Sequence, residues 1–252
     1  MAKPMKIELP GGARAPILHE DRAALAIDKP PGWILAPPRW TRTSRNLQLA
    51  LMAGIAERAP WARLRNLKFI RFVHRLDAET SGVLLLAKSR EAVRRFTRLF
   101  AARRVRKRYL AVVRGRPPEG LWACALPLRQ DPRAGRVEPD RRRGKPAETR
   151  FRALETIETE EGPLTLIEAE PLTGRTHQIR VHLAASGCPI AGDPLYGREK
   201  AAGRSCRATP FLGFGLRAAE LAYQDPFTGQ PRRILAPEAA FRAAFGFSPP
   251  EP

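Results

Sequence analysis

Apolar residues in this chain gather in short runs separated by turns. Val83-Leu84-Leu85-Leu86-Ala87, set between Ser81-Gly82 and Lys88-Ser89, predicts a buried strand. Runs at Ile17 (ILHE) and Ala24 (ALAID) predict two more. They end at Lys29-Pro30-Pro31-Gly32, because consecutive prolines cannot donate to a strand ladder. Further strands are expected near 69–74, 108–113, 147–157, 164–170 and 216–223. The spacing of Leu47, Leu51 and Ile55 predicts a helix over 44–57. Ser89 is placed to cap a helix reaching residue 102, with Val93, Phe96 and Phe100 on one stripe and Arg94, Arg95 and Arg98 elsewhere. A turn at 173–175 leads into a short helix, 176–186, closed by Gly187. Pro237 opens a last helix, 238–245. Loops are expected at 36–42 and 197–210, and a protruding basic hairpin or loop over 131–146. Strands and helices mix without regular alternation, which predicts an α+β fold. There is no internal repeat and no composition shift marking a second domain. Residues 1–16, rich in Gly, Pro and charge, are expected to be loosely held.

Charge changes this picture. Across 252 residues, 45 Lys and Arg oppose 25 Asp and Glu, a formal net charge of +20. With 43% hydrophobic residues a normal core can still form, so general disorder is not expected. The surplus points to a polyanion: nucleic acid first, an anionic membrane surface second. Of the basic residues 37 are Arg and 8 are Lys, a bias that suits phosphate and base contacts, although coding composition also produces it. Residues 88–108 hold ten basic residues and one acid, and 129–152 hold nine and four. Solvated faces normally mix their signs; one-sided charge fits a surface that tracks phosphates.

Several chemistries find no support. No run approaches the ~18 apolar residues of a membrane span, and MAKPMKIELPGG lacks the apolar stretch of a signal peptide. Cys124, Cys188 and Cys206 form no close pair, which fits a reducing cytoplasm and buried or half-exposed thiols. His177 and His182, five apart, fall on different faces and offer no zinc site. No metal or other cofactor is expected. Gly144-Lys145 runs into proline, against a phosphate loop, and Gly213, Gly215 and Ala218 match a dinucleotide pattern without a preceding strand. Neither H-E-x-x-H nor G-x-S-x-G occurs.

Between two predicted strands lies His74-Arg75-Leu76-Asp77-Ala78-Glu79-Thr80-Ser81-Gly82. A carboxylate beside an arginine is held ionised, and spacing alone allows Arg75 and Asp77 to be a structural ion pair as readily as a catalytic one. The longer stretch HRLDAETSGVLLLAKS resembles the catalytic motif of the RluA-type pseudouridine synthases. EDRAALAIDKPPG (20–32), KRYLAVVRG (107–115), GKPAET (144–149) and LTGRTHQIRVHLAASGCPIAGDPLYG (172–197) resemble further family segments, in family order. The likeness runs from about Ile17 to Pro237.

That resemblance implies a catalytic domain over 17–247 with a mixed, largely antiparallel central sheet, flanking helices and a tail at 248–252. It also implies an RNA-directed isomerase that turns uridine into pseudouridine in ribosomal or transfer RNA, working as a cytoplasmic monomer without a cofactor. Asp77 would be the catalytic aspartate, through attack at the base, attack at the sugar or a glycal. Tyr109 would remove a proton from the detached base or stack on it. Arg180 would pair with Asp77. Arg75 would enter the RNA stack vacated by the flipped nucleotide. His74, Thr80, Arg175, His177, Ile179 and Leu183 fall with the substrate-binding segments, although Ile179 and Leu183 also fit the core face of their helix. A non-catalytic RNA-binding protein is the competing reading. Two departures stand out. Leu216-Arg217-Ala218 replaces the usual LHA, and about sixteen residues before Ile17 leave no room for a separate N-terminal RNA-binding domain, so recognition is expected from the domain's own loops and basic surface.

Overall fold

The computed structural model describes residues 2–35, 43–131, 135–197 and 213–250. The loop expected at 36–42, nearly all of that at 197–210, and Cys206 lie outside the described residues. The chain divides into two compact units, Met1–Arg106 with Glu220–Ala236 and Lys107–Ala219 with Pro237–Pro252.

In the first unit, strands Lys6–Glu8, Arg14–Glu20, Ala24–Lys29 and Ser81–Ala87 pair antiparallel in that order. Both apolar runs read from the sequence, at 24–27 and 83–87, are buried throughout. Ser89 accepts a hydrogen bond from the Ala92 amide at 3.1 Å and starts the helix Arg90–Ala101. Its buried Ala92 and Phe96 pack on Ala24, Ala26, Val83, Leu85, Leu221 and Tyr223. The expected stripe is thus real, and its arginines face outward. The helix expected over 44–57 is Leu47–Ala56, capped by the Asn46 side chain. The strand expected over 69–74 narrows to Arg71–Phe72. The first sixteen residues are not loosely held as expected: Lys6–Glu8 pairs with the next strand, and Ile7, Leu9 and Ala15 are buried. Burial of Ile7 outweighs the turn-forming Pro10-Gly11-Gly12 beside it.

In the second unit, residues 109–114 of the strand Val105–Arg114 pair with Leu164–Pro171, which pairs with Thr149–Ile157, which pairs with Leu121–Cys124, all antiparallel. Strand alternation divides this sheet's side chains between two clusters. Leu110, Val112, Leu166, Phe245 and Phe247 join one. Ala111, Val113, Ile167, Ala169 and Phe151 join the other, with Ile179 and Leu183 of the helix Gln178–Ala185. The basic stretch contains a two-stranded hairpin, Leu128–Asp131 with Arg136–Pro139. The last strand is Leu216–Gln224, paired with Pro231–Leu235, and the terminal helix is Ala239–Ala243. The fold is α+β. Among the described residues no helix is long and apolar enough to cross a membrane.

Candidate functional site

Each unit gathers its own motifs, and the gathering is done by side chains that bind main-chain carbonyls. In the first unit Lys29 ends its strand with an ammonium that is fully buried. It donates to the carbonyls of Ala78 at 2.7 Å, Thr80 at 2.8 Å and Pro30 at 3.1 Å. The Gly32 amide donates to Ala78 as well, at 2.8 Å. The KPPG turn thereby fixes the backbone on either side of Glu79. Burial pushes Lys29 down to about 7, while the carboxylates of Glu79 and Asp77 pull the other way. From the opposite side, His74 accepts the Leu85 amide at Nε2, 2.9 Å away, and stacks on Phe100 with centroids 4.9 Å apart. Leu76 is buried and Asp77 half-buried, while Arg75 is exposed. The segment therefore holds a carboxylate at the edge of solvent on an anchored backbone, with an arginine side chain reaching outward beside it. Thr80, expected at the substrate, is 2% exposed. Its carbonyl serves Lys29 and its side chain is packed inside.

In the second unit the anchors meet at the start of the helix Gln178–Ala185. Gln178 Oε1 accepts from Thr173 Oγ1 at 2.7 Å and from the Arg175 amide at 2.9 Å. Its Nε2 donates to the Glu148 carbonyl at 2.9 Å. Arg175 donates from Nε to the Pro146 carbonyl, and Lys107 from Nζ to the Thr173 carbonyl. These bonds join KRY, GKPAET and LTGRTHQIR, the segments that hold most of the sequence resemblance in this unit. His182 is buried, bonded to Thr149 Oγ1 and the Leu126 carbonyl, and burial pushes its value down.

Arg180 is not the surface helix charge that its type would suggest; it is 2% exposed. Its carboxylate partner within the unit is Asp193, in two parallel bonds of 2.8 Å. Rings of Tyr196 and Phe214 lie 5.2 and 5.0 Å from the guanidinium carbon. Tyr109 is half-buried in its strand, beside the cluster that holds Ile179 and Leu183. Those two residues are packed in the core, as their helical spacing suggested. His177 stands at the helix start with a left-handed φ of 52°, its Nδ1 2.9 Å from the Tyr196 hydroxyl. Arg217, in place of the usual histidine, is buried and donates to the Pro237 carbonyl at 3.0 Å.

Lys29, Gln178, Asp193 and Tyr196 were not singled out from the sequence. All four stand inside quoted motifs, but each acts through a tertiary contact that the sequence does not display. Part of the basic surplus is committed internally. Glu91 engages Arg94 and Arg95, Arg108 engages Glu238 and Glu168, and Arg129 engages Glu138. Arg90, Arg98, Arg103, Arg104, Arg136 and the consecutive Arg141, Arg142 and Arg143 are exposed.

The family model described as RNA pseudouridylate synthase matches residues 23–185. The ribosomal large subunit pseudouridine synthase C of Yersinia pestis is 38% identical over 223 residues, covering 88% of this chain and 65% of the relative. Its namesake in Escherichia coli (strain K12) is 37% identical over 224 residues, covering 88% and 66%. The chain thus spans just under two thirds of the length of these relatives. Among solved structures, human RNA pseudouridylate synthase domain containing 1 aligns over 94% of this chain and 97% of its own, with 28% identity and a TM-score of 0.65. Human RNA pseudouridylate synthase domain containing 4 aligns over 87% of each chain with 24% identity and a TM-score of 0.66, a likeness of fold.

Proposed function

The chain belongs to the RNA pseudouridylate synthase family, and on that premise we propose that it isomerises specific uridines of structured RNA to pseudouridine. The relatives' names refer to the large ribosomal subunit, which favours ribosomal over transfer RNA as the substrate. The observation that carries the reading is the anchored segment around Asp77: Lys29 clamps the Ala78 and Thr80 carbonyls while the carboxylate stays at the edge of solvent.

In the reaction the N1–C1′ bond of uridine breaks, the uracil turns, and C5 bonds to C1′. The C5 proton is lost and N1 gains one. Asp77 supplies the carboxylate that acts on the base or the sugar, and Arg180 is the cation proposed to pair with it. Tyr109 takes the place against the detached base, Arg75 that of the flipped nucleotide. Arg175 and His74 hold the backbone around these groups, and His177 meets the Tyr196 hydroxyl. The exposed arginines of 90–104 and 136–143 supply phosphate contacts and most of the affinity. The protein acts as a cytoplasmic monomer.

Asp77→Asn is expected to abolish pseudouridine formation while leaving RNA affinity within about twofold, because phosphate contacts dominate binding. Full activity in that variant would overturn the assignment. Pseudouridine mapping of cellular RNA with and without the gene identifies the target, and a map with no lost site would favour the non-catalytic reading.

A further inference from the structure

Asp193 stands outside the catalytic motif around Asp77, yet its carboxylate accepts from Arg180 and from two main-chain amides. Oδ2 accepts from Arg180 Nε at 2.8 Å. Oδ1 accepts from Arg180 Nη2 at 2.8 Å, from the Leu195 amide at 2.9 Å and from the Tyr196 amide at 3.1 Å. The turn that follows closes tightly: the Gly197 amide donates to the Asp193 carbonyl, and a Cβ at Gly197 would stand 2.5 Å from that oxygen. The turn presents the Tyr196 ring to Arg180 from one side, and Phe214 is the second ring beside the guanidinium.

Guanidinium is planar, with its donors in a fixed fork. Here the Nε–Nη2 edge is taken by Asp193 and two aromatic rings flank the group. The fork and the rings together set the plane and the direction of the group. Tyr196 makes a second connection. Its hydroxyl accepts the Val137 amide at 2.8 Å and sits 2.9 Å from His177 Nδ1. Val137 lies in the hairpin strand Arg136–Pro139, just before the exposed Arg141, Arg142 and Arg143. One tyrosine thus joins the basic hairpin, the helix start and the arginine.

We propose that Asp193 and Tyr196 are positioning residues for Arg180, Asp193 fixing the direction of its guanidinium and Tyr196 tying that direction to the RNA-facing hairpin. The inference rests on the pseudouridine synthase reading and deepens it. A preorganised cation needs no reorganisation when charge develops, which is where such groups gain their catalytic effect. A buried ion pair kept only for the fold would show itself differently.

The test uses the full chain and an unmodified transcript of large-subunit ribosomal RNA. Single-turnover rate constants and RNA affinity are measured for Asp193→Asn and Tyr196→Phe. The asparagine turns an amide donor toward guanidinium donors; the phenylalanine keeps the ring and removes the hydroxyl. The rate constant per bound complex is expected to fall roughly 10- to 100-fold for Asp193→Asn, the scale of a 1 Å misplacement. About 3- to 10-fold is expected for Tyr196→Phe on the same scale, with the Kd for RNA within about twofold in both. A purely structural role lowers the fraction of molecules competent to bind RNA and leaves the rate constant alone; that result overturns the proposal. Should Asp193→Asn fail to fold, Tyr196→Phe decides by the same criterion. If the wild-type chain itself forms no pseudouridine on any RNA supplied, the functional reading falls and this inference falls with it. Wild-type turnover with unchanged variants removes the inference alone.

Discussion

Lys29→Met removes a buried ammonium while keeping its length and apolar body. Two large quantities oppose each other at this position. Burial takes the lysine from its ordinary 10.5 to about 7, and at 1.36 kcal/mol per tenfold change in acidity that is a cost of about 5 kcal/mol for holding it charged. The three hydrogen bonds to carbonyls favour the charged form and are already inside that net figure, so at neutral pH the lysine adds little stability. Methionine should therefore lower Tm by no more than about 2–4 °C for a chain of this size. Catalysis should suffer far more. The Thr80 and Pro30 carbonyls lose the lysine, only the Gly32 amide still holds Ala78, and the backbone around Asp77 loses its clamp. A fall of about 100-fold in the single-turnover rate is expected, by the same positional sensitivity. Thermal melting and single-turnover pseudouridine formation on one RNA transcript measure both effects. A methionine variant with the wild-type rate would refute the clamp. A Tm loss beyond about 15 °C with the rate per folded molecule intact would show that Lys29 serves the fold instead.

The same lysine has a pH signature. Its value is lower in the folded chain, so the unfolded chain binds the extra proton between about pH 7 and 10.5, and stability rises with pH across that window. Urea unfolding should show the wild type gaining up to about 5 kcal/mol over Lys29→Met between those limits, and a flat difference would contradict the depressed lysine. Gly144→Ala places a Cβ 2.2 Å from the Asp140 carbonyl oxygen and 2.7 Å from Pro127. It should cost about 1–3 kcal/mol and weaken RNA binding by displacing the arginine turn, so an unchanged melting curve and Kd would count against that geometry. Replacing Arg141, Arg142 and Arg143 together by alanine should reduce the slope of log K against log salt by about 2–3 and leave the rate at saturating RNA intact. An unchanged slope would remove the turn from the RNA-binding surface.

Where local pattern and tertiary packing agree, the sequence was sufficient. The helix Arg90–Ala101 carries its own cap at Ser89 and its own stripe through Phe96. The strand Ser81–Ala87 carries an apolar run, 83–87, that is buried throughout. Short elements were missed for lack of pattern. Lys6–Glu8 contributes one buried side chain, Ile7, and three residues show no period. Pro231–Leu235 opens on a proline, which reads as an interruption rather than an edge strand. Site residues with long-range partners were missed for another reason. Lys29 looks like the solvated end of a strand until its acceptors 49 and 51 positions away are known. Arg180 looks like an exposed helix charge until Asp193, thirteen residues on, closes over it. The family resemblance singled out Asp77, Tyr109 and Arg180, and it grouped with them Thr80 and Leu183, which are buried, because motif membership does not separate a residue that meets substrate from one that supports it.

Most of the bonds that join one motif to another end on a main-chain oxygen. Lys29 reads the carbonyls of residues 78 and 80, Lys107 that of 173, Arg175 that of 146 and Gln178 that of 148. None of these donors detects which side chain its acceptor carries. Evolution can therefore exchange Ala78, Pro146 or Glu148 without a matching change in the donor, so long as the backbone path is kept. Coevolution between columns of an alignment should be weak across these contacts, although they assemble the site. Arg180 and Asp193 meet side chain to side chain, and there a correlated exchange is the expected trace.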